Sequence, residues 1–132
     1  MNKSLRSVLD RDSLADITTI GWEAASENRV EVELFHLNGQ IYLCNRPGDY
    51  GWVAELLVSP EYTYHLKQSV RMDLPALATD ITNPTQKKAL LTNILAKEHR
   101  LDELDARLDR SHLFRVSPRD ADWSVQSASA IL

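Results

Sequence analysis

The dipeptide Asn38-Gly39 constrains this chain more than any other feature. It separates two runs that alternate apolar and polar residues, Arg29 to Leu37 and Gln40 to Asn45. A type I′ turn needs two residues that accept positive φ, and Asn-Gly supplies them, so the two runs are predicted to form a β-hairpin. Side chains alternate across a strand, which puts Val30, Val32, Leu34 and His36 on one face and Glu31, Glu33 and Phe35 on the other. Arg46-Pro47-Gly48-Asp49 cannot continue a strand, so the second run is expected to end there in a structured loop.

The flanking segments give a coarse order of elements. Met1 to about Asp16 mixes charge with Leu5, Val8, Leu9 and Leu14 and reads as a short amphipathic helix. Ile17 to Ile20 reads as a first strand and Trp22 to Asn28 as a loop. Trp52 to Val58 has helical spacing and stops at Ser59-Pro60, because the residue before proline disfavours helix. Glu61 to Lys67 and Val70 to Ile81 read as strands, with Pro75 marking a bulge or an edge. Asn83 and Pro84 fit the N-cap and first position of the longest helix, with Ala89, Leu90, Ile94 and Leu95 as its buried face. A charged helix follows from Asp102 to Arg110, with Leu101, Leu104 and Leu108 as its apolar stripe and its acidic residues as a solvated face. His112 to Val116 is the last strand. The tail 117–132 is expected to fray, with Trp123 as its one anchor.

At 132 residues the chain is expected to be one domain, with a core over about 16–116. The formal net charge of -4 argues against a nucleic-acid binder, which carries a basic excess. Cys44 is the single cysteine, which excludes a disulfide framework and a cysteine-rich zinc site. His36, His65, His99 and His112 lie on different elements without metal-ligand spacing, so no metal is expected. No apolar run is long enough to span a bilayer and the N-terminus has no apolar signal core, so no membrane association and a cytoplasmic location are expected. Strands first and helices late suggest a mainly antiparallel sheet with helices at its ends, curled into a small barrel.

Several of these segments together resemble one family. They are Ile17 to Gly21, the hairpin Val32 to Tyr42, the loop Asn45 to Gly48, Trp52, and Leu56 to Lys67. The pattern is similar to the deazaflavin-dependent nitroreductase family, part of the split β-barrel flavin-binding superfamily that includes pyridoxamine-phosphate oxidases. The resemblance covers roughly 16–96. It implies an α+β, mainly β fold, an antiparallel FMN-binding-like split barrel with peripheral helices, assembled as a homodimer. It further implies FMN or a deazaflavin (coenzyme F-420) as cofactor and hydride transfer to a small quinone-like or nitro substrate.

The same resemblance nominates cofactor-binding residues. Asn45, Arg46 and Gly48 match the family loop that lies against the flavin ring or ribityl chain, the alternative being a plain strand-ending turn. Tyr50 and Trp52 fit either beside a planar cofactor or in the core, where aromatics bury large areas. The chain departs from the family at one point. A Gly-Arg-Lys-Ser-Gly turn usually follows the first strand and holds the cofactor phosphate, whereas here Gly21 precedes Trp22-Glu23. A carboxylate in place of a cation turns attraction into repulsion. Arg29, at the far end of the loop, is the one charge left to compensate. No catalytic residue is assigned, because in such enzymes the cofactor carries the chemistry. The departure also leaves open an alternative: a non-catalytic split-barrel dimer, without cofactor, that binds another small ligand or a protein partner.

Overall fold

The computed structural model describes residues 12–20 and 27–119. The segments 1–11, 21–26 and 120–132 lie outside the described residues, and with them most of the expected N-terminal helix, the Trp22-Glu23 loop and the Trp123 anchor. The strands are β1 (Leu14–Ile20), β2 (Glu27–Glu33), β3 (Phe35–Leu37), β4 (Gln40–Cys44), β5 (Glu61–Leu66), β6 (Met72–Asp80) and β7 (Leu113–Pro118). The helices are α1 (Gly51–Val58), α2 (Pro84–Lys97) and α3 (Leu104–Arg110), with a 3-10 turn over Leu101–Glu103.

All strand pairs are antiparallel, and the sheet order is β2-β1-β5-β6-β7-β4-β3. The two edges of this sheet are consecutive in the chain, separated only by Leu34. One bent strand therefore closes the sheet on itself, its first half pairing with β1 and its second with β4. This is a split barrel of the α+β, mainly β class, as the hairpin and its neighbours predict. The turn at Asn38 (φ 51) and Gly39 (φ 75) has the two positive φ values of the expected hairpin.

Alternation fills the two sides of the bent strand. Val32 and Leu34 join Ile17, Leu43, Tyr64, Leu74 and Val116 inside the barrel, with Trp52, Val53 and Leu56 of α1 closing one end. Phe35 faces outward, where it meets Tyr42, Leu91, Ile94 and Leu113 in a second core beneath α2 and α3. Asn83 caps α2, its Oδ1 accepting from the Gln86 N–H at 2.9 Å, and Pro84 opens the helix.

Four details differ from expectation. Leu14 to Asp16 extend β1 instead of ending a helix, because Ala15 and Ile17 share the barrel-facing phase. Pro75 is in an interior strand, not at a bulge or an edge. The ladder explains this: Ala78 N–H bonds Pro60 O, so in the β5–β6 register Pro75 falls on a pair whose backbone groups face β7. There it meets Arg119, beyond the last residue of β7, and its missing N–H is lost only where that ladder ends. On α2 the buried face is Leu91, Ile94 and Leu95, while Ala89 is exposed. On the last helical segment Leu101 is 49% exposed and the fully buried side chain is Arg107.

Candidate functional site

The bent strand leaves a gap where its two halves part. Extending the β3–β4 register would bring Glu33 opposite Cys44, but pairing stops at Phe35 and Tyr42. Leu34 instead gives its N–H to Ser13 O at 2.8 Å, and β2 swings over to β1. A cleft of about 180 Å³ opens between β2 and the end of β4, lined on one side by Glu31, Val32 and Glu33 and on the other by Cys44, Asn45, Arg46, Asp49 and Trp52.

The β2 wall is an open sheet edge. Since Leu34 and Ser13 form a hydrogen-bonded pair, so do Val32 with Ala15 and Val30 with Ile17 along the same antiparallel ladder. The backbone groups of Glu31 and Glu33 therefore face away from β1, on the side where β2 has no strand partner among the described residues. Donors and acceptors on such an edge are available to a flat ligand that presents its own polar rim.

The opposite wall is a rigid turn. Asp49 N–H bonds Arg46 O at 3.0 Å, and Gly48 sits at φ +97, a conformation that side chains other than hydrogen rarely accept. Trp52 is 5% exposed, its ring centroid 6.2 Å from that of Phe114. Its indole N–H donates to Asp49 Oδ2 at 3.1 Å. Asn45 is buried and its side chain is already engaged, Oδ1 accepting from His112 N–H at 2.7 Å and Nδ2 donating to Arg46 O.

Of the residues nominated from the sequence, Asn45, Arg46 and Trp52 are brought together in the cleft. Gly48 shapes the turn between them without lining it, and Tyr50 is 44% exposed at the start of α1. Arg29 points to the outer face of β2, its Nε bonding Asp16 Oδ2 at 2.9 Å.

Sequence reasoning missed the charged circuit behind the cleft. Arg46 Nε donates to Glu33 Oε1 at 2.8 Å, and Arg100 Nη1 donates to Glu33 Oε2 at 2.6 Å. Arg100 and Arg107 both grip Glu103. Arg107 also donates to the carbonyls of Cys44 and Asn45, returning the circuit to the cleft wall. Both guanidinium carbons lie over the Phe35 ring, at 5.6 and 5.4 Å. Hydrogen bonding by Arg100, joined by Arg107, pulls the Glu103 carboxyl down to about 2 despite its partial burial. Burial pushes Glu33 up, but the bonds from Arg100 and Arg46 outweigh it and the net shift is downward. Burial raises the Cys44 thiol against the pull of Arg107, so it is an inert apolar filler and not a thiolate. The spacing of Arg100, Glu103 and Arg107, three and four apart, was the available signal for this circuit.

A carboxylate–imidazole–hydroxyl series stands elsewhere, on the outer face of the barrel. Asp73 Oδ1 meets His65 Nδ1 at 2.6 Å, and His65 Nε2 meets Thr18 Oγ1 at 2.6 Å. The strand bearing Thr18 is laddered on both sides, by β2 and β5, so it offers no free amides to stabilise an oxyanion. The series reads as a cross-strand tie. No cluster of metal-ligating side chains occurs among the described residues, and none of their helices is long and apolar enough to cross a membrane.

No protein-family model and no curated protein matches the chain. Solved structures do match its fold. A candidate pyridoxamine 5′-phosphate oxidase from Listeria innocua is similar at 10% identity with a TM-score of 0.66, covering 89% of this chain and 92% of its own. A FAD-binding protein from Mesorhizobium loti is similar at 12% identity with a TM-score of 0.62, covering 91% of each chain. A third structure, described as a domain-swapped dimer, is 17% identical with a TM-score of 0.56 over 80% of each chain. At these identities the likeness establishes the split-barrel fold and nothing finer.

Proposed function

We propose that the protein is a flavin- or deazaflavin-dependent oxidoreductase of the nitroreductase or quinone-reductase type, working as a homodimer on a small substrate. The observation that carries the reading is the cleft at the barrel's split, with the open edge of β2 on one wall and the 46–49 turn with Trp52 of α1 on the other. A bound flavin supplies hydride transfer. The chain's own residues supply position: main-chain groups of Glu31 and Glu33 for the polar rim of the ring, Trp52 as a fixed apolar border, and Arg46 as a nearby positive charge. Gly48 keeps the turn tight, Asn45 holds it to β7, and Tyr50 is an exposed aromatic available to the second subunit. A neighbour of the same fold described as a domain-swapped dimer supports the assembly.

A second reading is favoured by a specific observation. Both basic residues nominated for the cofactor are paired, Arg29 with Asp16 and Arg46 with Glu33. That pairing suits a non-catalytic split-barrel dimer that binds another small ligand or a protein partner. The two readings separate on the visible spectrum of the purified protein, on titration with flavins and a deazaflavin, and on quinone reduction by the loaded protein. The oxidoreductase reading expects saturable binding and turnover. Binding without turnover supports the second reading, and no binding of any of these cofactors overturns the first.

A further inference from the structure

The charge around the cleft points to a ligand without a phosphate. Among the described residues the lining contains three carboxylates, Glu31, Glu33 and Asp49, against one cation, Arg46. Among the described residues the other cations near the cleft are already matched: Lys67 lies between Asp16 and Glu31, Arg29 on Asp16, Arg100 between Glu33 and Glu103, and Arg107 on Glu103. Asp49 accepts from the Trp52 indole and from no basic side chain among the described residues. Among the described lining residues Arg46 alone carries positive charge, and its side chain is 72% exposed.

An exposed ion pair is cheap to break, so the pairing of Arg46 is not itself the barrier. The barrier is what stays behind. Glu33 is fixed from the other side by Arg100, and its side chain is only 21% exposed. A phosphate drawn to Arg46 would take up a place beside that carboxylate, with Glu31 and Asp49 on the same cleft, and repulsion would offset the attraction. The uncharged requirements of a flat heterocycle are met without such conflict. Its polar rim finds the main-chain donors and acceptors of the open β2 edge, and its apolar area finds Val32 and Trp52.

We infer that the cleft selects a planar, uncharged heterocycle and discriminates against its phosphorylated form, with Glu33 as the discriminating residue. This rests on the cofactor reading above and deepens it, since it names the form of the ring system that the site takes. It also gives the fold a different division of labour, in which ring recognition is kept and phosphate anchoring is not used.

The test is a paired titration of the full chain with riboflavin and FMN, followed by quenching of flavin fluorescence. A phosphate held by charge-assisted hydrogen bonds would make FMN tighter by roughly ten- to a hundredfold. The inference expects riboflavin to bind at least as tightly as FMN, and the FMN affinity to fall no more than weakly with added salt. Glu33→Gln should raise FMN affinity relative to riboflavin by roughly tenfold, about one charge-assisted bond. FMN binding tenfold or more tighter to the unmodified protein overturns the inference and leaves the oxidoreductase reading standing. An unchanged ratio of FMN to riboflavin affinity in a folded Glu33→Gln protein also overturns it. Binding of neither flavin overturns the inference, and the cofactor reading falls with it when a deazaflavin does not bind either. The comparison on the unmodified protein is decisive even if the variant does not fold.

Discussion

The two cores of this molecule are built by different physics. Inside the barrel, Ile17, Leu43, Tyr64, Leu74 and Val116 are apolar or aromatic residues placed by strict alternation, with no ion pair among them. Outside it, beneath α2 and α3, the largest fully buried side chain is a guanidinium, Arg107, held by Glu103 and two backbone carbonyls over an aromatic ring. The first core fixes the fold. The second fixes the cleft wall, because the carbonyls that Arg107 holds belong to Cys44 and Asn45. The difference teaches that the scaffold is indifferent to charge and the site is not.

That contrast is open to attack from several directions. The largest effect should come from the barrel. Leu74 is fully buried, and Leu74→Ala should cost about 2–5 kcal/mol in chemical denaturation, as large-to-small changes in tight cores do. A cost below about 1 kcal/mol would mean that the interior is loosely packed. Next, Arg107→Ala should destabilise by about 2–3 kcal/mol, less than a wholly buried pair because Glu103 remains 32% exposed. Its signature should be local: amide exchange should speed up at Asn45 and Arg46 while the β5–β6 ladder stays protected. Uniform loss of protection would show that the two cores are one cooperative unit.

Acid should tell the regions apart as well. Glu103 is pulled down to about 2 in the folded protein, from an ordinary value near 4.5. Its folded value is depressed, so its contribution is present above about pH 4.5 and is lost as pH falls through about 2. Stability should therefore decline across that window, with a shallower decline in Arg107→Ala. Equal slopes in both proteins would remove Arg107 from the acid response and leave Arg100 as the partner that lowers Glu103. The smallest effect is expected at the hairpin, where Gly39→Ala at φ 75 should cost about 1 kcal/mol without touching either core.

The sequence showed the barrel because alternation and turn chemistry are local. Asn38-Gly39 set the hairpin, and the phase of Val30, Val32 and Leu34 against Glu33 and Phe35 was read correctly from period alone. What period could not show was that Leu34 would be a bend, since both sides of a bent strand keep the same alternation. The cleft depends on that bend and so was only partly legible: Asn45, Arg46 and Trp52 were nominated from a resemblance, while Glu31 and Glu33 were placed on a strand face with no role assigned. Arg107 was hidden for a different reason. A charged residue between Leu104 and Leu108 reads as solvated, and only the tertiary meeting with Cys44, Asn45 and Phe35 buries it.

The central claim is that ligand recognition happens at the split, on the open edge of β2. The direct measurement is a titration of isotopically labelled protein with riboflavin, followed by backbone amide and indole resonances. The account predicts that the amides of Glu31 and Glu33 and the Trp52 indole shift first and saturate together, while Thr18 and His65 on the outer face stay still. Saturable shifts centred on Thr18, Thr63 and His65, with Glu31, Glu33 and Trp52 unmoved, would contradict it.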